Sequence, residues 1–215
     1  MPQLDHCSPR ARRRRGRPVD SDSAETRIRI LQAARQVIIE RGYQAATFQA
    51  ISLAAELSRP TLHYYFANRE AIYSTLVTEA STLVTECIAK AKQHETLVAQ
   101  LSALVAAINE AERRDRSTAA FLVSARLEAN RNPELQYEGG AELRAFLTKL
   151  IADAGARGEL LEGTDPEPVV DLVQSMLWGI GVYSGFVDDV ADMDLITGQL
   201  IRLFSHGLLS HVPVP

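Results

Sequence analysis

The stretch from Thr47 to Ile72, TFQAISLAAELSRPTLHYYFANREAI, constrains this chain more than any other. Two short apolar patterns of helical period flank a tight connection at Glu56-Leu57, and a polar-aromatic cluster, Ser58 to Phe66, follows it. Ala50, Ala54 and Ala55 are small enough to let two helices approach closely. Ile51, Leu57 and Leu62 are spaced to pin the angle between them. Thr47, Ser58 and Asn68 each stand where a side-chain oxygen would cap a helix, and Pro60 is tolerated because it falls in a first turn. The spacing predicts a helix-turn-helix whose second helix turns polar groups outward.

Such a helix fits the major groove of duplex DNA with its N-terminal residues leading. Arg59, Thr61 and His63 then face the groove, with Thr47, Ser58 and Pro60 beside them. Arg59 suits a guanine edge, and Thr61 suits a thymine methyl or a phosphate. Tyr64 and the backbone at Asn68 and Arg69 suit phosphate, which positions a protein without specifying sequence. Phe66 is expected in the core. Tyr65 stands open between packing and contact.

Charge is divided along the chain. Residues 1–72 carry 12 Arg and no Lys against 7 acids, whereas the formal net charge of the whole is −4. A basic front and an acidic rear put phosphate at one end only. The basic end begins with an apolar-poor arm over residues 1–20. There Arg14, Arg15, Gly16 and Arg17 precede Pro18, and Arg-Gly-Arg-Pro resembles an AT-hook. An extended arm of this kind enters a narrow A·T minor groove. The alternatives are non-specific phosphate attraction, a localisation signal, or a tail without a role.

Behind the motif the pattern is helical throughout, with no strand alternation. The first helix is expected over about 23–41, with Ile28, Leu31, Ala34, Arg35 and Ile38 on its inner face, Ser21 or Ser23 as cap and Gly42 as stop. The fourth starts at Asn68. A fifth carries Leu97 to Ile108 and closes in the charged run Glu110–Arg116. A sixth ends before Pro133, and a seventh stops in Gly155-Ala-Arg-Gly158. The eighth opens at Asp165-Pro166 and is apolar on nearly every side, so it must be covered on nearly every side. The ninth runs from Met193 to about Leu209. Gly179, Gly181, Gly185, Ser175 and Ser184 would let another helix approach the eighth. The longest uninterrupted apolar run, Met176 to Val187, falls short of the roughly 18 residues that span a bilayer. No membrane partner and no secretory signal are expected.

Residues 25–76 resemble the tetracycline-repressor (TetR) family of bacterial regulators. Thr47, Ile51, Ala55, Ser58, Thr61, Leu62, Tyr65, Phe66, Glu70 and Ile72 fit that family's pattern. Three positions depart from it. Glu56 replaces the turn glycine, so a positive φ there would carry strain. His63 replaces a tyrosine that commonly touches phosphate. Arg69 replaces a lysine and keeps a phosphate donor. The resemblance implies an all-α fold of about nine helices, with a three-helix DNA-binding domain over 21–68 and a ligand-binding and dimerisation domain over 69–215. It also implies a small-molecule pocket, a homodimer through the eighth and ninth helices, a palindromic double-stranded operator and a cytoplasmic, nucleoid-associated protein.

Phe121, Arg126, Phe146, Met176, Trp178 and Tyr183, with Glu128 and Asn130, are the residues chosen as pocket candidates, and an apolar or aromatic effector is the default. Cys7 and Cys87 form no metal or redox spacing. Asp188, Asp189, Asp192 and Asp194 lack the glycine and spacing of a calcium loop, and His94 with Glu95 and His206 with His211 lack a third ligand. No metal, cofactor or catalytic constellation is expected. The sequence thus points to a ligand-released repressor. Two other readings stay open: an architectural A·T-rich DNA binder working through its arm, and a helical small-molecule enzyme or carrier.

Overall fold

The computed structural model describes residues 19–135, 139–186 and 193–205. The arm, including Arg14, Arg15, Gly16 and Arg17, lies outside the described residues. So do Cys7, Asp188, Asp189, Asp192, His206, His211 and the expected last turn of the ninth helix. The described residues form nine α-helices and no strand.

The first helix, α1 (Val19–Arg41), starts four residues before the expected position, which puts Ser21 and Ser23 inside it instead of at its cap. It is stopped by Gly42, whose φ of 80° suits a residue without a Cβ. Ile30, Leu31, Ala34, Val37 and Ile38 form its buried face. At 100° per residue Ile28 lies about 120° from the centre of that face, and it is 54% exposed. Arg35 flanks the same face as an ion-pairing residue, not a core one.

A single 3-10 turn, Tyr43–Ala45, leads to α2 (Phe48–Ala54), α3 (Arg59–Tyr65) and α4 (Arg69–Ala91). All three start on the side chains read from the sequence. Thr47 Oγ1 accepts from the Ala50 N–H at 3.2 Å, Ser58 Oγ from Thr61 at 3.2 Å, and Asn68 Oδ1 from Ala71 at 2.8 Å. Each such cap contributes about 1 kcal/mol. In α2 the inner face is Ile51, Ser52 and Ala55, leaving Ala54 exposed, because α2 turns that side toward α1 and α3.

Glu56 adopts φ 52° and, among the described residues, no other non-glycine residue has a positive φ. The family's turn geometry is therefore kept without the glycine that favours it.

The rear helices are α5 (Leu97–Arg114), α6 (Ser117–Arg131), α7 (Gly139–Ala156), α8 (Pro166–Phe186) and α9 (Met193–Leu203). The Glu159 carboxylate, after Gly158 (φ 72°), accepts from the Leu97 N–H at 2.6 Å and so ties the α7–α8 connection to the start of α5. Two cores result. One joins α1, α2 and α3 to the front half of α4 and to Phe121 and Ala125 of α6. The other joins the rear half of α4 to α5, α7, α8 and Phe204 beyond α9.

Only Val170 and Val173 of α8 are buried, and its apolar side remains uncovered, with Val182 and Phe186 each 46% exposed. Gly185 and Gly181 face α6 of the same chain, and only Gly179 opens outward. A Cβ on Gly185 would stand 2.7 Å from the Ala120 Cα, one on Gly181 3.6 Å from Val123, and one on Gly179 near nothing. The most apolar 18-residue window of α8 has a mean hydropathy of 1.2, enough to cross a membrane by length and composition alone, as the core helix of a soluble protein also can be. The uninterrupted apolar run is shorter, as expected, because Asp171, Gln174 and Ser175 interrupt it without interrupting the helix.

Strain at Glu56 makes a direct prediction. Glu56→Gly should raise unfolding stability by up to about 1 kcal/mol, the relief of left-handed strain less the added freedom of the unfolded chain. Glu56→Val should lower it. Urea titrations of the three proteins check the order.

Candidate DNA-reading surface and effector cavity

Helix α3 separates its two sides cleanly. Leu62 and the following Phe66 are buried, Tyr65 is half-buried, and Arg59, Pro60, His63 and Tyr64 are exposed, Tyr64 to 82%. The exposed side chains are not loose. The Arg59 guanidinium donates to Gln49 Oε1 of α2, which leaves its other N–H groups for a base edge. The His63 ring packs on Phe48 at 4.5 Å between centroids. Tyr64 meets Tyr65 edge-on at 5.1 Å. Thr61 shares a 2.7 Å hydrogen bond with Ser58 Oγ. Gln49 and Phe48 escaped the sequence reading because each looks like an ordinary residue of α2 until α3 is placed beside it.

A groove beside this surface runs between Thr47, His63, Asn68 and Arg69. Arg69 lies 4.3 Å above the Tyr43 ring and 3.4 Å from Glu70. Glu70 accepts from its own backbone N–H at the start of α4, which, with Arg69 beside it, holds its carboxyl below the usual range. The start of α4 thus already holds a negative group, where a DNA phosphate would compete for the same donors. Arg27 covers Phe66 at 5.1 Å and braces the far end of α3.

The second site is a cavity of about 120 Å³ lined by α4, α5, α6, α7, α8 and the start of α9. Of the residues chosen from the sequence, Trp178 lines it. Phe121 is buried instead in the front core, 6.3 Å from the Tyr73 ring, and Phe146 in the rear core. Arg126 and Asn130 are exposed on α6. Glu128 is buried against Gly42, where its Oε1 lies 3.0 Å from the position of a Cβ. Met176 and Tyr183 line a different groove, on the outer side of α8 and α9.

The lining is apolar apart from a few groups. Asn109 is engaged with Asp194 and Thr197. Cys87 lies in the wall, its thiol pushed up by burial. Glu112 is the anomaly. It is 9% exposed; Oε2 accepts from the Ala119 N–H at 3.2 Å, and Oε1 is buried with no partner. Removal from water raises its pKa to about 7, against the Ala119 hydrogen bond. The signal was present in the sequence, since Glu112 continues the Val105 and Ile108 period of α5. It was read as part of the charged run that closes the helix.

Residues 30–76 match the model of the bacterial regulatory proteins, tetR family. Over those residues the chain carries the helix-turn-helix domain of that family, and with it a DNA-binding, regulatory role. The HTH-type transcriptional regulator UidR of Escherichia coli K12 is 21% identical over 165 residues, 75% of this chain and 83% of that protein. Among solved structures, FadR from Bacillus subtilis in complex with stearoyl-CoA superposes with a TM-score of 0.67 at 18% identity, covering 84% of this chain and 98% of that one. A putative regulator from Saccharomonospora viridis in complex with choline gives 0.68 at 18% identity, covering 87% and 100%. At these identities the likeness of these structures to the chain is one of fold.

The raised pKa of Glu112 fixes a sign for the pH dependence of stability. Between about 4.5, its ordinary value, and about 7 the folded chain holds the proton more tightly than the unfolded chain does. Stability from this group is therefore full below that window and falls as pH rises through it, by up to about 3 kcal/mol. Thermal unfolding of Glu112→Gln beside the wild type should give a difference that grows from pH 4.5 to 7.5 in favour of the variant.

Proposed function

We propose that this regulator is a homodimeric repressor that grips a palindromic operator through α3 and releases it when a small molecule fills the rear cavity. The observation that carries this reading is the pairing of two surfaces in one chain. One is a capped, polar α3 standing clear of the protein; the other is a largely apolar cavity between the rear helices whose wall includes the helix that also packs under the DNA-binding core. The solved relatives that hold stearoyl-CoA or choline support a ligand-holding rear domain.

Dimerisation is inferred from the uncovered apolar side of α8 and α9. Val182, Phe186 and Leu195, the last 66% exposed, stand outward, and Met176, Tyr183, Ile196 and Leu203 line a groove of about 480 Å³ on the same two helices. A second copy of the same face would cover it and place two α3 helices in successive major grooves, roughly 34–36 Å apart. Reading and control would be divided between residues 21–68 and 69–215, in the cytoplasm, where the operator lies.

The coupling route is short. Asp115, in the α5–α6 connection, and Ser117, the first residue of α6, bind Arg35 of α1, Ser117 at 3.2 Å. Glu79 of α4 reaches the same Arg35 at 3.3 Å. The same first turn of α6 carries Ala119, which holds Glu112 in the cavity wall. A ligand that moves this connection moves α1. It releases DNA only in so far as it binds the released geometry better.

A gel-shift series tests the reading against the architectural one. The wild type should bind one palindrome selected from genomic fragments, bind a single half-site far more weakly, and lose the palindrome on Arg59→Ala with Thr61→Ala. Deleting residues 1–18 should weaken binding and flatten its salt dependence while keeping operator choice. Binding that survives the double substitution and vanishes with the arm would make the arm, not α3, the reader.

A further inference from the structure

The effector cavity has one chemical peculiarity, and it lies at Glu112. Its wall is otherwise mostly leucine, valine, isoleucine and alanine, with Trp178 as its aromatic residue and the uncharged Asn109, Thr118, Ser184 and Thr197 as its other polar side chains. Among the described residues lining it there is no lysine, arginine or histidine. An acidic ligand head would find no cation there. The Asn109 amide is already donating to Asp194 and Thr197. The Glu112 Oε1, by contrast, is an acceptor removed from water with nothing bonded to it. A buried, unpaired acceptor costs free energy that a donor brought by a ligand would recover.

We propose that the effector is a hydrophobic amine, its ammonium group bound by Glu112 and its apolar body by the surrounding aliphatic wall. This rests on the reading of the cavity as the effector site. An ammonium supplies both what Oε1 lacks, an N–H donor, and the positive charge that favours the ionised carboxylate in a low-dielectric site. The Trp178 face adds a surface to which a cation is attracted. A neutral alcohol can donate one hydrogen bond but brings no charge. A fatty carboxylate places a second acid beside the first. The position of Glu112 also lets the ligand act on the DNA-binding half. Its other oxygen holds Ala119, two residues after the Ser117 that binds Arg35 of α1, so an ammonium that draws the carboxylate inward pulls on that connection.

The chain contains a single tryptophan, so its fluorescence reports on the cavity without a label. The experiment titrates full-length protein at pH 7 with n-octylamine, n-octanol and n-octanoate, which share a body and differ in the head. Wild type should bind the amine at least tenfold more tightly than either of the others. Glu112→Gln should fold, as its melting curve will report, and should bind the three within about threefold of one another. Glu112→Asp, which keeps the charge on a shorter arm, should retain part of the preference. Equal binding of amine and alcohol by the wild type, or a preference that persists in Glu112→Gln, would overturn the proposal while leaving the cavity a ligand site. Tighter binding of octanoate would overturn it likewise. Failure of all three to change the Trp178 signal or to compete with one another in calorimetry would overturn both the proposal and the effector-site reading.

Discussion

The contact between α6 and α8 is the constraint on which the rest of this molecule depends. Gly185 brings the α8 backbone against Ala120 so closely that a single added carbon would collide with the α6 main chain. With α8 held there, α6 lies between the two halves of the protein. Its Phe121 and Ala125 enter the front core beside Tyr73 and the buried face of α1, and its Val123 meets α8. A core packed at this density does not deform continuously; it shifts between discrete arrangements. A helix that enters the front core on one side and packs on α8 on the other is therefore a natural carrier of a change between the two halves.

The polar groups kept in the interior lie along the same path. Arg35 ties α1 to α4 and to the α5–α6 connection, with its Nε buried and unpaired. The Tyr73 hydroxyl is also buried without a partner, and burial with the nearby Glu128 raises its pKa to about 12. Glu112 leaves an oxygen bare in the cavity wall. Each of these costs stability that an apolar residue would not. Their concentration between cavity and DNA-binding core fits a protein in which that junction must be able to rearrange.

Much of this was legible in the sequence wherever the cause was local. Thr47, Ser58 and Asn68 announce three helix starts because capping needs only a side-chain oxygen and an N–H three residues on. Glu56 could be assigned a strained turn because the family pattern demands that backbone whatever the side chain. What was not legible depended on which helices meet. Phe121 and Phe146 are large and apolar, as pocket residues are, but are core residues here; Met176 and Tyr183 lie on α8, which has an inner and an outer side that periodicity does not tell apart. Gly181 and Gly185 were read as room for a second chain and proved to be room for α6. Glu112 was hidden by its charged neighbours, although its spacing from Ile108 put it on the inner face of α5.

The central claim is that the rear cavity and the DNA-reading surface are two sites on one coupled structure. Coupling between binding sites is reciprocal, so it can be measured from either end. The most direct measurement is the affinity for n-octylamine, followed by Trp178 fluorescence, with and without saturating operator DNA. Operator should weaken amine binding by the same factor by which the amine weakens operator binding, and this factor should be at least fivefold. Equal amine affinities with and without bound operator, for a protein that binds both, would contradict it.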